Sequence, residues 1–183
     1  MSTILAEQIA QLEDNGWILA AEPVVLAAKT PVELPEGIAQ RYDWLPDSVM
    51  AFLAGVKSAV SVDEKSWFVT SSVLAANSDS AFRWNQWELD SLSASGDDAA
   101  GNDTAGDDAA SNDAAGIAEI VRFWDQHFPV LLSVKNSYSY LAVRPDGKIV
   151  HGNEPEYEQT SDVAESFDEL IGNIARIQAQ LQF

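Results

Sequence analysis

The chain has no cysteine. That excludes a disulfide scaffold, a thiol nucleophile and any thiolate metal site. Basic residues are scarce: ten Lys and Arg stand against 29 Asp and Glu, for a formal net charge of −19. Such a chain is repelled by phosphate backbones and by anionic membranes, so direct binding to nucleic acid is not expected. No apolar run approaches the ~20 residues that cross a bilayer. The opening residues MSTILAEQIAQLEDNG carry Glu7, Glu13 and Asp14 and no basic side chain. They offer neither the positive start nor the uninterrupted apolar core of a secretory signal, and a cytoplasmic location is expected.

Histidine is nearly absent too. His127 precedes Phe128-Pro129 at a helix end, where capping or packing suits it. His151 stands near Glu154, Glu156 and Glu158 and reads as a salt-linked surface imidazole. Neither has a His, Cys or carboxylate partner at metal-ligand spacing. The sequence holds no G-x-S-x-G elbow, no P-loop and no G-x-G-x-x-G. No catalytic residue, cofactor or metal is therefore expected. The alternating carboxylates of Glu154-Pro155-Glu156-Tyr157-Glu158 would suit a carboxylate-dependent hydrolase only if paired in a cleft.

What the chain does have is core material. It is 46% hydrophobic, with six Trp and seven Phe in 183 residues, which is enough for one domain. Residues 4–15 show helical spacing, with Asn15-Gly16 as the stop. Residues 17–28 read as a strand or a packed loop. Pro35 and Pro46 each stand where a helix starts, and Val49, Phe52, Leu53 and Val56 form an apolar stripe after the second. Residues 59–62 and 66–70 read as a hairpin around Asp63-Glu64-Lys65. Residues 82–89, with Phe82, Trp84 and Trp87, read as strand or irregular.

Residues 96–116 form a low-complexity acidic insert with a five-residue period: GDDAA, GNDTA, GDDAA, SNDAA. It has six Asp and nothing large and apolar, so a mobile surface loop is expected. It lacks the closing Glu of an EF-hand loop. The other 162 residues still carry −13.

Residues 117–127 are helical by spacing, and Pro129 ends the helix. Three strands follow, at 130–134, 138–143 and 148–151, separated by Lys135-Asn136-Ser137 and Pro145-Asp146-Gly147. In the second, Leu141 and Val143 are expected to face the core, with the Tyr rings half covered. Asp162 is placed as the cap of a last helix, with Glu165 in capping-box position. Gly172 weakens that helix, and close approach of a neighbour would explain it.

Between Asp146 and Glu169 lie eight acidic residues and one basic residue, Lys148. Asp146, Glu154, Glu156, Tyr157, Glu158 and Asp162 are the candidate partner-binding residues. Tyr157 is either an aromatic anchor framed by carboxylates or a side chain packed on the sheet edge. A basic protein is the partner that such a face attracts.

The order Leu45-Pro46, Phe52-Leu53, Trp124, Phe128-Pro129, Leu132-Ser133-Val134, Tyr138-Ser139-Tyr140, Asp146-Gly147, Ile149-Val150, Gly152, Glu154-Pro155 and Ser166-Phe167 resembles the SUKH superfamily. That superfamily includes bacterial immunity proteins and fungal cell-wall-synthesis regulators. The resemblance covers roughly residues 34–174 without the insert and implies an α+β fold, a twisted antiparallel sheet packed against helices; residues 1–183 are expected to form one such domain. It implies a non-catalytic protein that binds and neutralises a cognate toxin, often a nuclease, or else a regulatory scaffold without a toxin.

Overall fold

A computed structural model describes residues 3–21, 34–75, 83–97 and 107–182. The fold is α+β. Helix α1 (Thr3–Asp14) leads into strand β1 (Trp17–Ala21) through Gly16, whose φ of 80° suits a residue without a Cβ. Helices α2 (Glu36–Arg41) and α3 (Asp47–Gly55) each begin directly after a proline, as the sequence predicts. The hairpin of β2 (Val56–Ser61) and β3 (Ser66–Phe68) comes next. A helical excursion of α4 (Ser71–Ala75), α5 (Gln86–Asp97) and α6 (Asp107–Asp125) separates β3 from β4 (Phe128–Ser133). Strands β5 (Ser139–Val143), β6 (Ile149–Asn153) and β7 (Ser161–Ala164) follow, then α7 (Phe167–Gly172) and α8 (Ile174–Leu181).

The seven strands form one antiparallel sheet whose spatial order is the chain order. Both helical excursions therefore leave the sheet and return to the neighbouring position. The register alternates two rows of side chains between the faces. In one row Phe68, Leu131 and Leu141 are cross-strand partners. Phe68 there meets Phe52 of α3 at 5.3 Å and Phe167 of α7 at 6.4 Å. In the other row Trp67, Leu132, Tyr140 and Gly152 are partners, and Tyr140 meets Trp124 of α6 at 5.0 Å. Helices thus cover both faces at the middle of the sheet. Every residue of β4 and β5 is buried in consequence. Of the two rings expected to be half covered, Tyr138 is so, at 46% exposed, but Tyr140 is fully buried because α6 lies over its face.

Other expectations change for equally physical reasons. Residues 86–89 are helical, since buried Trp87, Glu88 and Ser91 share one side of α5 and packing outweighs the strand preference of aromatics. Residues 22–28, Pro31 and Phe82 lie outside the described residues. So do 98–106 of the acidic insert, while 107–116 belong to α6. Four alanines lie in that stretch, and alanine is the strongest helix former. Pro129 stands inside β4, at a register shift where the ladder is already irregular. Asp162 lies in β7 and caps nothing: Ser166 caps α7 by accepting from Glu169 N–H, and Glu169 accepts from Glu165 N–H. The last helix breaks at Gly172-Asn173. A Cβ on Gly172 would meet its nearest neighbour at an ordinary 3.9 Å, so glycine there marks the break and not a close approach.

One ionic cluster ties the excursion down. The Arg41 guanidinium donates to both Glu88 carboxylate oxygens, at 2.7 and 2.9 Å, and through Nε to Asp125 at 2.7 Å. Glu88 is at the start of α5 and Asp125 at the end of α6, so one side chain of α2 joins both feet of the helical pair. Burial pulls the Arg41 pKa down, but Glu88, Tyr42 and Asp125 together outweigh it, so the guanidinium is raised above its ordinary value and the cation is held.

Gly152 faces Tyr140 across the ladder, and a Cβ there would overlap the Tyr140 ring. Gly152→Ala is expected to lower the unfolding free energy by about 1–3 kcal/mol, the cost of overpacking, read from the midpoint of urea denaturation.

Candidate functional site

The candidate residues gather around β6 and β7, but the strands part them into two groups. At one end of β6 the chain turns through Gly147, with a φ of 84°, and the Arg144 N–H donates to the Lys148 carbonyl. Arg144 pairs with Asp146 at 2.6 Å and Asp162 at 3.2 Å. Lys148 pairs with Glu165 at 3.1 Å and Asp162 at 3.6 Å. Three carboxylates thus share two cations on the surface. The Arg144 hydrogen bond holds the Asp146 carboxyl below the usual carboxylate range. Hydrogen bonding to Glu165 raises the Lys148 ammonium.

The five residues of β6 carry the chain about 17 Å to the other end. Glu154, Glu156 and Glu158 lie there, in the loop that leads to β7. The Tyr138 N–H donates to Glu154 Oε1 at 3.1 Å, and the Glu154 N–H donates to the Tyr138 carbonyl at 2.8 Å. Glu156 is exposed, and Glu158 is half-buried. Among the described residues these three carboxylates form no ion pair. Asp90 of α5 adds a fourth carboxylate near Tyr157.

An aromatic stack fills the space between them. Trp87 lies between Tyr138, at 5.0 Å, and Tyr157, at 5.5 Å, with all three rings nearly parallel. Tyr157 is only 6% exposed, and its carbonyl accepts a hydrogen bond from the Tyr140 hydroxyl. Burial, followed by Glu154 and Asp90, pushes the Tyr157 phenol pKa well above its ordinary value. Of its two readings, the structure therefore supports packing. The exposed ring is Tyr138, at 46%.

Asp146 and Asp162 thus lie together in the neutralised group, while Glu154, Glu156, Tyr157 and Glu158 surround the far end. Sequence reasoning missed Tyr138, Asp90 and Trp87 as members of this end. Tyr138 carries a legible signal, an aromatic residue next to a turn that opens a strand. The partnership with α5 does not, because it joins residues about 50–70 positions apart in the chain.

The histidines differ from one another. His127 lies flat against Phe123 at 3.9 Å, with Nδ1 2.7 Å from the Phe123 carbonyl oxygen, a packing role at the end of α6. His151 sits half-buried within β6 and not as a surface imidazole. Burial lowers both pKa values below 6.5. Among the described residues no group of three or more His, Asp or Glu side chains could hold a metal ion. Comparisons with protein-family models, curated proteins and solved structures find no match to this chain.

Two measurements check this arrangement. Tyr157→Ala is expected to cost about 3–5 kcal/mol of stability, as for other large buried rings, and Tyr138→Ala less than about 1 kcal/mol, by chemical denaturation. Both histidines are held neutral by burial in the folded chain, so below pH 6.5 the unfolded chain takes up more protons. Stability is therefore expected to fall as pH drops from 6.5 through the lowered folded values, and the His127→Gln, His151→Gln double variant to flatten that slope in thermal melts.

Proposed function

We propose that this chain is a non-catalytic binding protein of the SUKH type that neutralises a toxin domain with a basic surface, such as a nuclease, in the cytoplasm. One observation carries the reading. The carboxylates Glu154, Glu156 and Glu158 stand without ion pairs among the described residues, in the loop that Glu154 ties to the Tyr138 backbone, and the half-exposed Tyr138 ring lies at the same end of the sheet. A nuclease surface shaped for nucleic acid is basic. Carboxylates and an exposed aromatic ring at one end of the sheet answer it twice: their field speeds encounter, and the ring offers contact area and a π face for an Arg or Lys. The net charge of −19 adds long-range attraction. Asp146 and Asp162 contribute less, because Arg144 and Lys148 already neutralise them.

The test is co-expression with toxin domains encoded beside the gene, pull-down, and titration calorimetry at several salt concentrations. Binding is expected to weaken with salt. The Glu154→Gln, Glu156→Gln, Glu158→Gln variant is expected to lose at least about tenfold in affinity and part of its salt dependence. Tyr138→Ala is expected to lose about thirtyfold, as a central aromatic contact does. Asp146→Asn with Asp162→Asn should change little. Binding indifferent to salt, or unaffected by the first two variants, overturns the reading.

A further inference from the structure

We infer that the β1 edge of the sheet is a self-association surface, on which β1 of one chain pairs antiparallel with β1 of a second copy about a two-fold axis. This stands independently of the proposed toxin partner. The strand order puts β1 at one end of the sheet and β7 at the other. Among the described residues β1 pairs with β2 alone. An edge strand directs part of its backbone N–H and C=O groups away from the sheet, where they can template another strand.

The two edges are guarded differently. β7 carries Asp162, with Glu165 just beyond, and both pair with Lys148. Charges on an edge strand discourage strand addition. β1 reads WILAA, with neither a charge nor a proline. Ile18 is 57% exposed and Val62 is 70% exposed, the two most exposed of the large apolar side chains among the described residues. Ile18 faces Val60 across the ladder, and Val62 lies in the turn just past β2, beside Gly16 at the start of β1. Ala20, two residues on from Ile18, is exposed as well.

Charge selects the occupant. A basic partner is drawn to the carboxylates near β6 and β7, not to an uncharged strand. Six strand spacings separate β1 from β7, roughly 29 Å, which is several Debye lengths in physiological salt. Two copies can therefore meet at β1 with their acidic edges pointing apart. An uncharged apolar edge is complemented by another of its kind, and the two-fold axis closes the assembly at a dimer. β1 has only five residues. Its pairing buries little against the roughly 1,200 Å² of a stable interface, so the dimer is reversible.

Sedimentation equilibrium of the full chain over a wide concentration range, at low and at physiological salt, tests this. The expected result is a monomer–dimer equilibrium that tightens with salt, because salt screens repulsion between two chains of net charge −19. That sign is opposite to the one expected for toxin binding, so the two readings fail separately. Ile18→Lys, and separately Ala20→Lys, is expected to weaken the dimer at least about tenfold, through like charges at the edge, with the melting temperature unchanged. A monomer at every concentration overturns the inference. So does a monomer whose β1 amides resist hydrogen exchange, since another part of the chain would then cover the edge. A dimer indifferent to both substitutions, or growth beyond a dimer, overturns it too.

Discussion

Tyr140 is the constraint around which the sheet is arranged. Its ring lies over Gly152 of the next strand, against Trp124 of α6, and its hydroxyl reaches the Tyr157 carbonyl. A buried hydroxyl needs a partner, and this one uses it to hold the loop that carries the carboxylates. The ring needs space, and a glycine across the ladder provides it. The same contacts that bury the centre of the sheet on its second face therefore set the position of Glu154, Glu156 and Glu158. Core and candidate site are one construction.

Electrostatics divides the molecule in a way that composition hides. The net charge is large, but it is not spread evenly in effect. At the turn end of β6, Arg144 and Lys148 tie three carboxylates into local pairs. Exposed pairs of this kind contribute little to stability, and their main effect is to remove free charge from that end. Arg41 differs, because its partner Glu88 is buried. Removing one member would leave the other charge stranded, so the cluster holds α5 and α6 to α2. The loop end keeps three carboxylates without an ion pair among the described residues, Glu156 exposed and Glu154 and Glu158 half-buried. The β1 edge has none.

The α+β class was legible in the residues. Proline placed the starts of α2 and α3, Gly16 the stop of α1, and Asp146-Gly147 the tight turn. These are local effects, in which a ring, a missing Cβ or a short polar side chain biases the backbone within a few residues. The candidate site was legible as a segment and not as a geometry. β7 was invisible because SDVA reads equally as a cap and first turn, and only pairing with β6 makes it a strand. Once it pairs, Asp162 becomes a partner of Arg144 and Lys148 and ceases to be a cap.

The sequence by itself determined the charge, the excluded chemistries and the run of turns and helix starts, because each depends on the residues themselves or on near neighbours. Only the tertiary structure decided which aromatic ring is exposed and which carboxylates are left unpaired. In the sequence Tyr157 stands between Glu156 and Glu158 and Tyr138 between two serines, so local polarity alone would place Tyr157 as the exposed ring. Trp87, brought from α5, lies between them, and the Tyr140 hydroxyl draws the Tyr157 backbone inward. Burial follows from contacts between distant segments, and no local pattern encodes it.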